Sequence, residues 1–211
     1  MTNTTGRRAE AQRRQHLTTV RHAQEHSAAR RRMYVRSAWA AASVAVVVAV
    51  ALMLLTSRAT SSSATRAAPD FTLTTTAGAT VHLADYRGKT VLLYFSEGAG
   101  CQACLLQMGE IEKNKATFDA AGVTVLPIVM NTKEQILADM RANDVTTPFL
   151  LDDGRVSTAY GTLGKGMHAG LPGHSFVLID PTGAQRWSGD YPSMWLAPSD
   201  LLKEIKTHLT S

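Results

Sequence analysis

Residues 91–113 read VLLYFSEGAGCQACLLQMGEIEK. The first five form an unbroken apolar run, the pattern of a strand buried on both faces. SEGAG follows as a short loop opened by two glycines. From Cys101 onward, apolar residues return at helical spacing and predict a helix over 101–121. A thiol at a helix N-terminus meets unpaired backbone N–H groups and the positive end of the helix dipole. Both favour the thiolate, so Cys101 reads as a nucleophile. Cys104 lies three residues on, on the same helix face, where its sulfur can attack a mixed disulfide formed on Cys101 and release the partner. These are the two cysteines of the chain, so any intramolecular disulfide joins them. Two buried packing cysteines are the plain alternative. Structural zinc usually takes a second cysteine pair, which this chain lacks.

Outward from this unit, β-branched and alternating runs predict strands at 71–73, 81–83, 123–130 and 176–179, and helical patterns cover 133–143 and 199–209. Strands and helices interleave, so the expected class is α/β, a central mixed sheet flanked by helices. The expected folded domain spans 69–211. Before it, residues 38–55 read AWAAASVAVVVAVALMLL without a charge. They predict a single transmembrane helix over 38–57, and SRATSSSATRAA predicts a flexible linker over 58–68. A cleavable signal peptide is the rival reading, but the basic region before the apolar run is longer than such signals carry.

Charge is uneven. Nine arginines stand against Glu10 and Glu25 before Ser37, in a chain of net charge +5, which leaves the rest slightly acidic. No phosphate-binding face remains, so nucleic acid is not an expected partner. The arginine excess marks residues 1–37 as a cytoplasmic tail and places the C-terminal body outside, in a single-pass cell-membrane protein.

APDFTL (68–73), VHLADYRGKTVLLYF (81–95), CQAC (101–104) and FVLIDPTG (176–183) together resemble the redoxin branch of the thioredoxin superfamily, which holds membrane-anchored thioredoxin-like proteins and AhpC/TSA peroxiredoxins. The resemblance covers residues 68–211. It implies a thioredoxin-like fold, a redox-active disulfide as the working group with no cofactor, and dithiol-disulfide exchange with protein thiols outside the cytoplasm, served by a transmembrane electron donor.

Three departures matter. Gly98 stands where peroxiredoxins place Thr or Ser three residues before the reactive cysteine, which makes thiol peroxidase activity the second reading. Gly100 replaces the aromatic residue that membrane-anchored thioredoxin-like proteins carry there. Gly109 sits where such proteins often kink the active-site helix with proline. At redoxin spacing, His174 falls on the position of the thioredoxin cis-proline or the peroxiredoxin arginine. Pro172 takes that role only if the loop carries an insertion.

So placed, His174 faces the two sulfurs and either tunes them as a proton acceptor or completes a copper(I) or zinc site with Cys101 and Cys104, as the resemblance to Sco-type copper-handling proteins suggests. A histidine with a purely structural role is the plain alternative. Glu97 is a candidate proton acceptor, against a solvated loop carboxylate. Met167 and His168, in GTLGKGMHAGLPGH, are possible soft-metal ligands or incidental, and the glycines of that loop predict mobility. Trp187, Tyr191, Met194 and Trp195 read as core packing or as a docking patch.

Overall fold

The computed structural model describes residues 33–55 and 58–210. The chain divides into two compact units, one ending at Leu55 and one beginning at Thr56. The expected basic tail, apart from residues 33–37, lies outside the described residues.

In the first unit, one helix, α1, spans Met33–Leu55. Its 23 residues extend about 35 Å at 1.5 Å per residue, enough by length and composition to cross a hydrocarbon core of roughly 30 Å. None of them is buried. The helix begins five residues before the expected start. Hydropathy marks where charge ends, not where helical backbone begins, and MYVRS contains no helix breaker.

The second unit runs β1 (Thr60–Ser62), β2 (Arg66–Ala67), β3 (Thr72–Thr75), β4 (Thr80–His82), a 3-10 turn (Leu83–Tyr86), β5 (Thr90–Phe95), α2 (Gln102–Lys113), α3 (Lys115–Ala120), β6 (Val123–Val129), α4 (Lys133–Ala142), β7 (Leu150–Leu151), α5 (Arg155–Ala159), β8 (Ser175–Ile179), β9 (Ala184–Asp190) and α6 (Pro198–Leu209). The strands form one mixed sheet in the order β1-β9-β8-β5-β6-β7-β3-β4, with β2 also pairing β9. The domain is therefore the α/β, thioredoxin-like arrangement that the sequence predicts.

All six residues of β5 are buried, because side chains alternate between two covered faces. Leu92 and Tyr94 join one core with α2, α6, Phe176 and Trp187. Val91, Leu93 and Phe95 join the other with Phe71, Val156 and Tyr160. Strand β6 runs parallel to β5 and β8 runs antiparallel to it. The C-terminal ends of β5 and β6 and the N-terminal end of β8 therefore meet at one edge, where the CxxC loop leaves β5.

Several local expectations change. The single helix over 101–121 breaks at Asn114, whose side-chain amide donates to Glu110 O at 2.8 Å and caps α2. The apolar period continues into α3, which hides the break from the sequence. Gly109 introduces no interruption, since α2 runs through it to Lys113. Strand β9 escaped prediction because its inward positions are Gln185, Trp187 and Gly189, so only one large apolar residue marks the buried face. Within the stretch expected as linker, β1 and β2 pair with β9. Their side chains are all exposed, so backbone hydrogen bonds and a contact from Arg66 Nε to Gln185 Oε1 at 2.9 Å hold them. No apolar pattern announces such strands.

Candidate active site

Cys101 is the N-cap of α2, in extended conformation, and its sulfur accepts the Cys104 N–H at 3.3 Å. The two cysteines are joined as a disulfide, with Cα atoms 5.3 Å apart. Cys101 is 7% exposed and Cys104 1%, so Cys101 is the more accessible residue of the pair.

The loop before Cys101 is held from the side of β6 and α4. Ala99 N–H donates to Asn131 Oδ1 at 2.8 Å and Gly100 N–H to Asp139 Oδ2 at 2.6 Å. Gln102 Nε2 donates to Asn143 Oδ1. Gly98 has φ +71°, and a Cβ there would overlap Asn131 Oδ1 and approach Val129 Cγ1 to 2.7 Å. Both conformation and space demand glycine, which explains physically why no Thr or Ser stands there.

His174 reaches this edge because β8 starts at Ser175, paired with Phe95 at the end of β5. It is 1% exposed. Its Nδ1 lies 3.3 Å from Tyr94 Oη and its Nε2 3.4 Å from Gln107 Oε1. Tyr94 Oη in turn donates to Cys104 O at 3.1 Å. His174 thus reaches the main chain of Cys104 through Tyr94. Burial pulls the imidazole down to about 4, and burial likewise pushes the Tyr94 phenol far above its ordinary range. At neutral pH both are uncharged.

Among the described residues no peptide is cis, and Pro172 pairs with Leu163 across a hairpin. No group of three His, Cys, Asp or Glu converges as a metal site among the described residues, and the two cysteine sulfurs are bonded to each other.

Glu97 is not a solvated loop carboxylate. Its side chain is 3% exposed and accepts from His168 N at 3.1 Å, with His168 Nδ1 2.8 Å from its other oxygen. The glycine-rich loop, expected to be mobile, forms a hairpin in this structure. Gly164 N–H donates to Leu171 O and Gly173 N–H to Thr162 O, and Lys165 Nζ meets Asp190 Oδ2 at 2.6 Å. A Cβ on Gly166 would overlap Glu97 Oε1, so that glycine permits a close approach. Met167 stands exposed at the tip. Trp187 is fully buried and stacks on His208, Tyr191 packs edge-on to Phe176, and Trp195 is exposed.

The sequence reading missed Tyr94, Gln107, Asn131, Asp139 and Asn143. Two of them carried a signal. Tyr94 places a hydroxyl in an otherwise apolar buried strand, and Gln107 follows Cys104 by three residues on the same helix face.

The AhpC/TSA family profile matches residues 64–188. A candidate peroxiredoxin of Mycobacterium tuberculosis is 37% identical over 99 residues, 46% of this chain and 63% of that protein. The thiol-disulfide oxidoreductase ResA of Geobacillus kaustophilus is 30% identical over 107 residues, 40% of this chain and 61% of that protein. The chain spans a little under two thirds of these relatives' length. Among solved structures, the reduced 2-Cys peroxiredoxin of Plasmodium vivax aligns with a TM-score of 0.60 at 22% identity, over 67% of this chain and 93% of that one, a likeness of fold. The profile match runs from the strands before the CxxC loop to the sheet edge beyond His174, and this chain belongs to the AhpC/TSA family, a redoxin of the thioredoxin superfamily.

Proposed function

We propose that the chain is a thiol-disulfide oxidoreductase anchored by α1, with its redoxin domain outside the cytoplasm and protein thiols or disulfides as its substrates. The observation that carries this reading is the Cys101–Cys104 disulfide closed across the first turn of α2, with the more accessible cysteine at the N-cap. In the oxidising direction, a partner thiolate attacks Cys101 Sγ. The Cys101–Cys104 bond breaks, and Cys104 leaves as the thiolate. In the reducing direction, the Cys101 thiolate attacks a partner disulfide, one partner sulfur leaves as thiolate, and Cys104 then attacks Cys101 Sγ to release the second. The helix N-terminus stabilises the Cys101 thiolate in both directions.

Cysteine substitution tests the roles. Cys104→Ser should accumulate mixed disulfides through Cys101, and Cys101→Ser should trap few. Equal trapping by both variants would remove the assignment. The anchor's orientation rests on the arginine excess before Ser37. A membrane-impermeant amine reagent added to intact cells should label the exposed Lys113 and Lys115, and labelling of them from the cytoplasmic side alone would invert the topology. Peroxide reduction is a second reading, favoured by the peroxiredoxin relatives. Gly98 offers no hydroxyl and His174 no guanidinium, so thiol-driven peroxide consumption by the full chain should be slow beside disulfide exchange.

A further inference from the structure

The buried contacts around His174 do not balance in protons. Three close pairs decide the balance: Tyr94 Oη to Cys104 O, Tyr94 Oη to His174 Nδ1, and His174 Nε2 to Gln107 Oε1; the Ser96 hydroxyl beside Tyr94 brings its own proton and leaves these three unchanged. A neutral imidazole and a neutral phenol supply one proton each, so two of the three can be hydrogen bonds at any time. With the proton on Nδ1, the ring donates to Tyr94, Tyr94 donates to Cys104 O, and Nε2 faces Gln107 Oε1 lone pair to lone pair. With the proton on Nε2, the ring donates to Gln107, Tyr94 turns its proton to Nδ1, and Cys104 O loses it.

Turning the Gln107 amide over does not relieve this. Its Oε1 is fixed by the Leu196 N–H at 2.8 Å, and a flip would set donor against donor. The Gln107 Nε2 already lacks a partner. A third proton, giving an imidazolium, satisfies all three contacts at once.

We propose that the Tyr94–His174–Gln107 network is the redox-linked proton acceptor of this site, with Tyr94 as the positioning residue that carries the change to the Cys104 turn. The inference rests on the dithiol reading above. When a partner dithiol reduces the disulfide, two electrons and two protons leave the partner, whose sulfurs join. The Cys101–Cys104 bond breaks, Cys104 takes one proton as a thiol, and Cys101 stays a thiolate. The second proton goes to His174 instead of to solvent, and the pair of charges it completes is neutral.

Reduction is the event that loads the histidine, because it creates a negative charge at the head of α2, which favours the imidazolium. The other charged groups around this edge already have partners: Asp190 has Ser175 and Lys165, Glu97 has His168, and Asp139 has the Gly100 N–H. Tyr191, which donates its N–H to His174 O, has its phenol pushed up to about 12 by burial and keeps its proton. In the oxidised form no thiolate is present, and burial holds the ring neutral.

The test measures the reduction potential of the full chain, held in detergent, against pH, above the Cys101 pKa found by thiolate absorbance in each variant. Each proton taken up per two electrons contributes about 30 mV per pH unit. The wild type should show about 59 mV per pH unit, for two protons, and His174→Gln about 30, for one. Tyr94→Phe, whose ring can still stack on Phe176, should also fall to the one-proton slope. Nitrogen NMR of His174 should find a neutral ring in the oxidised wild type and an imidazolium in the reduced one, and a ring that stays neutral in reduced Tyr94→Phe. A one-proton slope in the wild type, or a two-proton slope retained in either variant, would overturn the inference while leaving disulfide exchange in place. Loss of disulfide exchange in the wild type itself would instead overturn the dithiol reading.

Discussion

The two cysteines stand three residues apart yet are held by opposite kinds of surroundings. The loop entering Cys101 is fixed by polar side chains of the β6–α4 region, Asn131, Asp139 and Asn143, several of whose contacts face solvent. The turn carrying Cys104 is fixed by a wholly buried set, Tyr94, His174 and Gln107. Solvent can replace hydrogen bonds lost on the first side, but an unmet polar group on the second stays unmet. The contrast teaches a division of labour. The Cys101 side sets shape and charge where a partner arrives, and the Cys104 side sets the protonation that follows electron transfer.

The most damaging way to break the first side is Gly98→Ala. A methyl group at φ +71° that also overlaps Asn131 and Val129 combines backbone strain with overpacking, for a loss on the order of 3 kcal/mol. Chemical denaturation should show that loss in the oxidised protein, and a loss under 1 kcal/mol would mean that the loop relaxes freely. Glycine is thus required by the loop's shape, independent of any role in catalysis.

The second side can be sharpened by pH. The folded value of His174, about 4, lies below its unfolded value near 6.5. The unfolded chain therefore binds the extra proton, and stability falls as pH drops from about 6.5 toward 4. Between pH 7 and 5 the oxidised protein should lose roughly 2 kcal/mol from this residue, and His174→Gln should lack that portion. An identical pH profile in the variant would show that the ring is solvated. The reduced protein should lose less over the same interval, since its histidine is stabilised as the cation.

The smallest expected effect is electrostatic. Asp139→Asn keeps an acceptor for the Gly100 N–H but removes a negative charge held against the residue that precedes Cys101. Stability should change by no more than about 1 kcal/mol, while the Cys101 pKa should drop by up to about one unit. Thiolate absorbance measured against pH decides this, and a rise in the Cys101 pKa would show that the carboxylate acts through loop geometry instead.

Read residue by residue, the sequence by itself determined the strand-loop-helix unit, the pairing of its two cysteines, the α/β class and a helix long enough to cross a membrane. Each is a local matter: a run of apolar residues, a period of 3.6, a count of two thiols. It also singled out His174, because the distance from His174 to the strand that follows is short and fixed. What His174 touches was beyond local pattern. Tyr94 lies 80 residues from it and Gln107 lies 67, and they meet because β8 runs antiparallel to β5 while α2 covers the shared face. Burial of Glu97 depended likewise on a hairpin 71 residues away, and the edge strands β1 and β2 on backbone pairing that no side chain advertises. Tertiary structure decided these points because hydrogen bonds between buried groups depend on distance in space, and only the register of the sheet converts distance along the chain into distance in space.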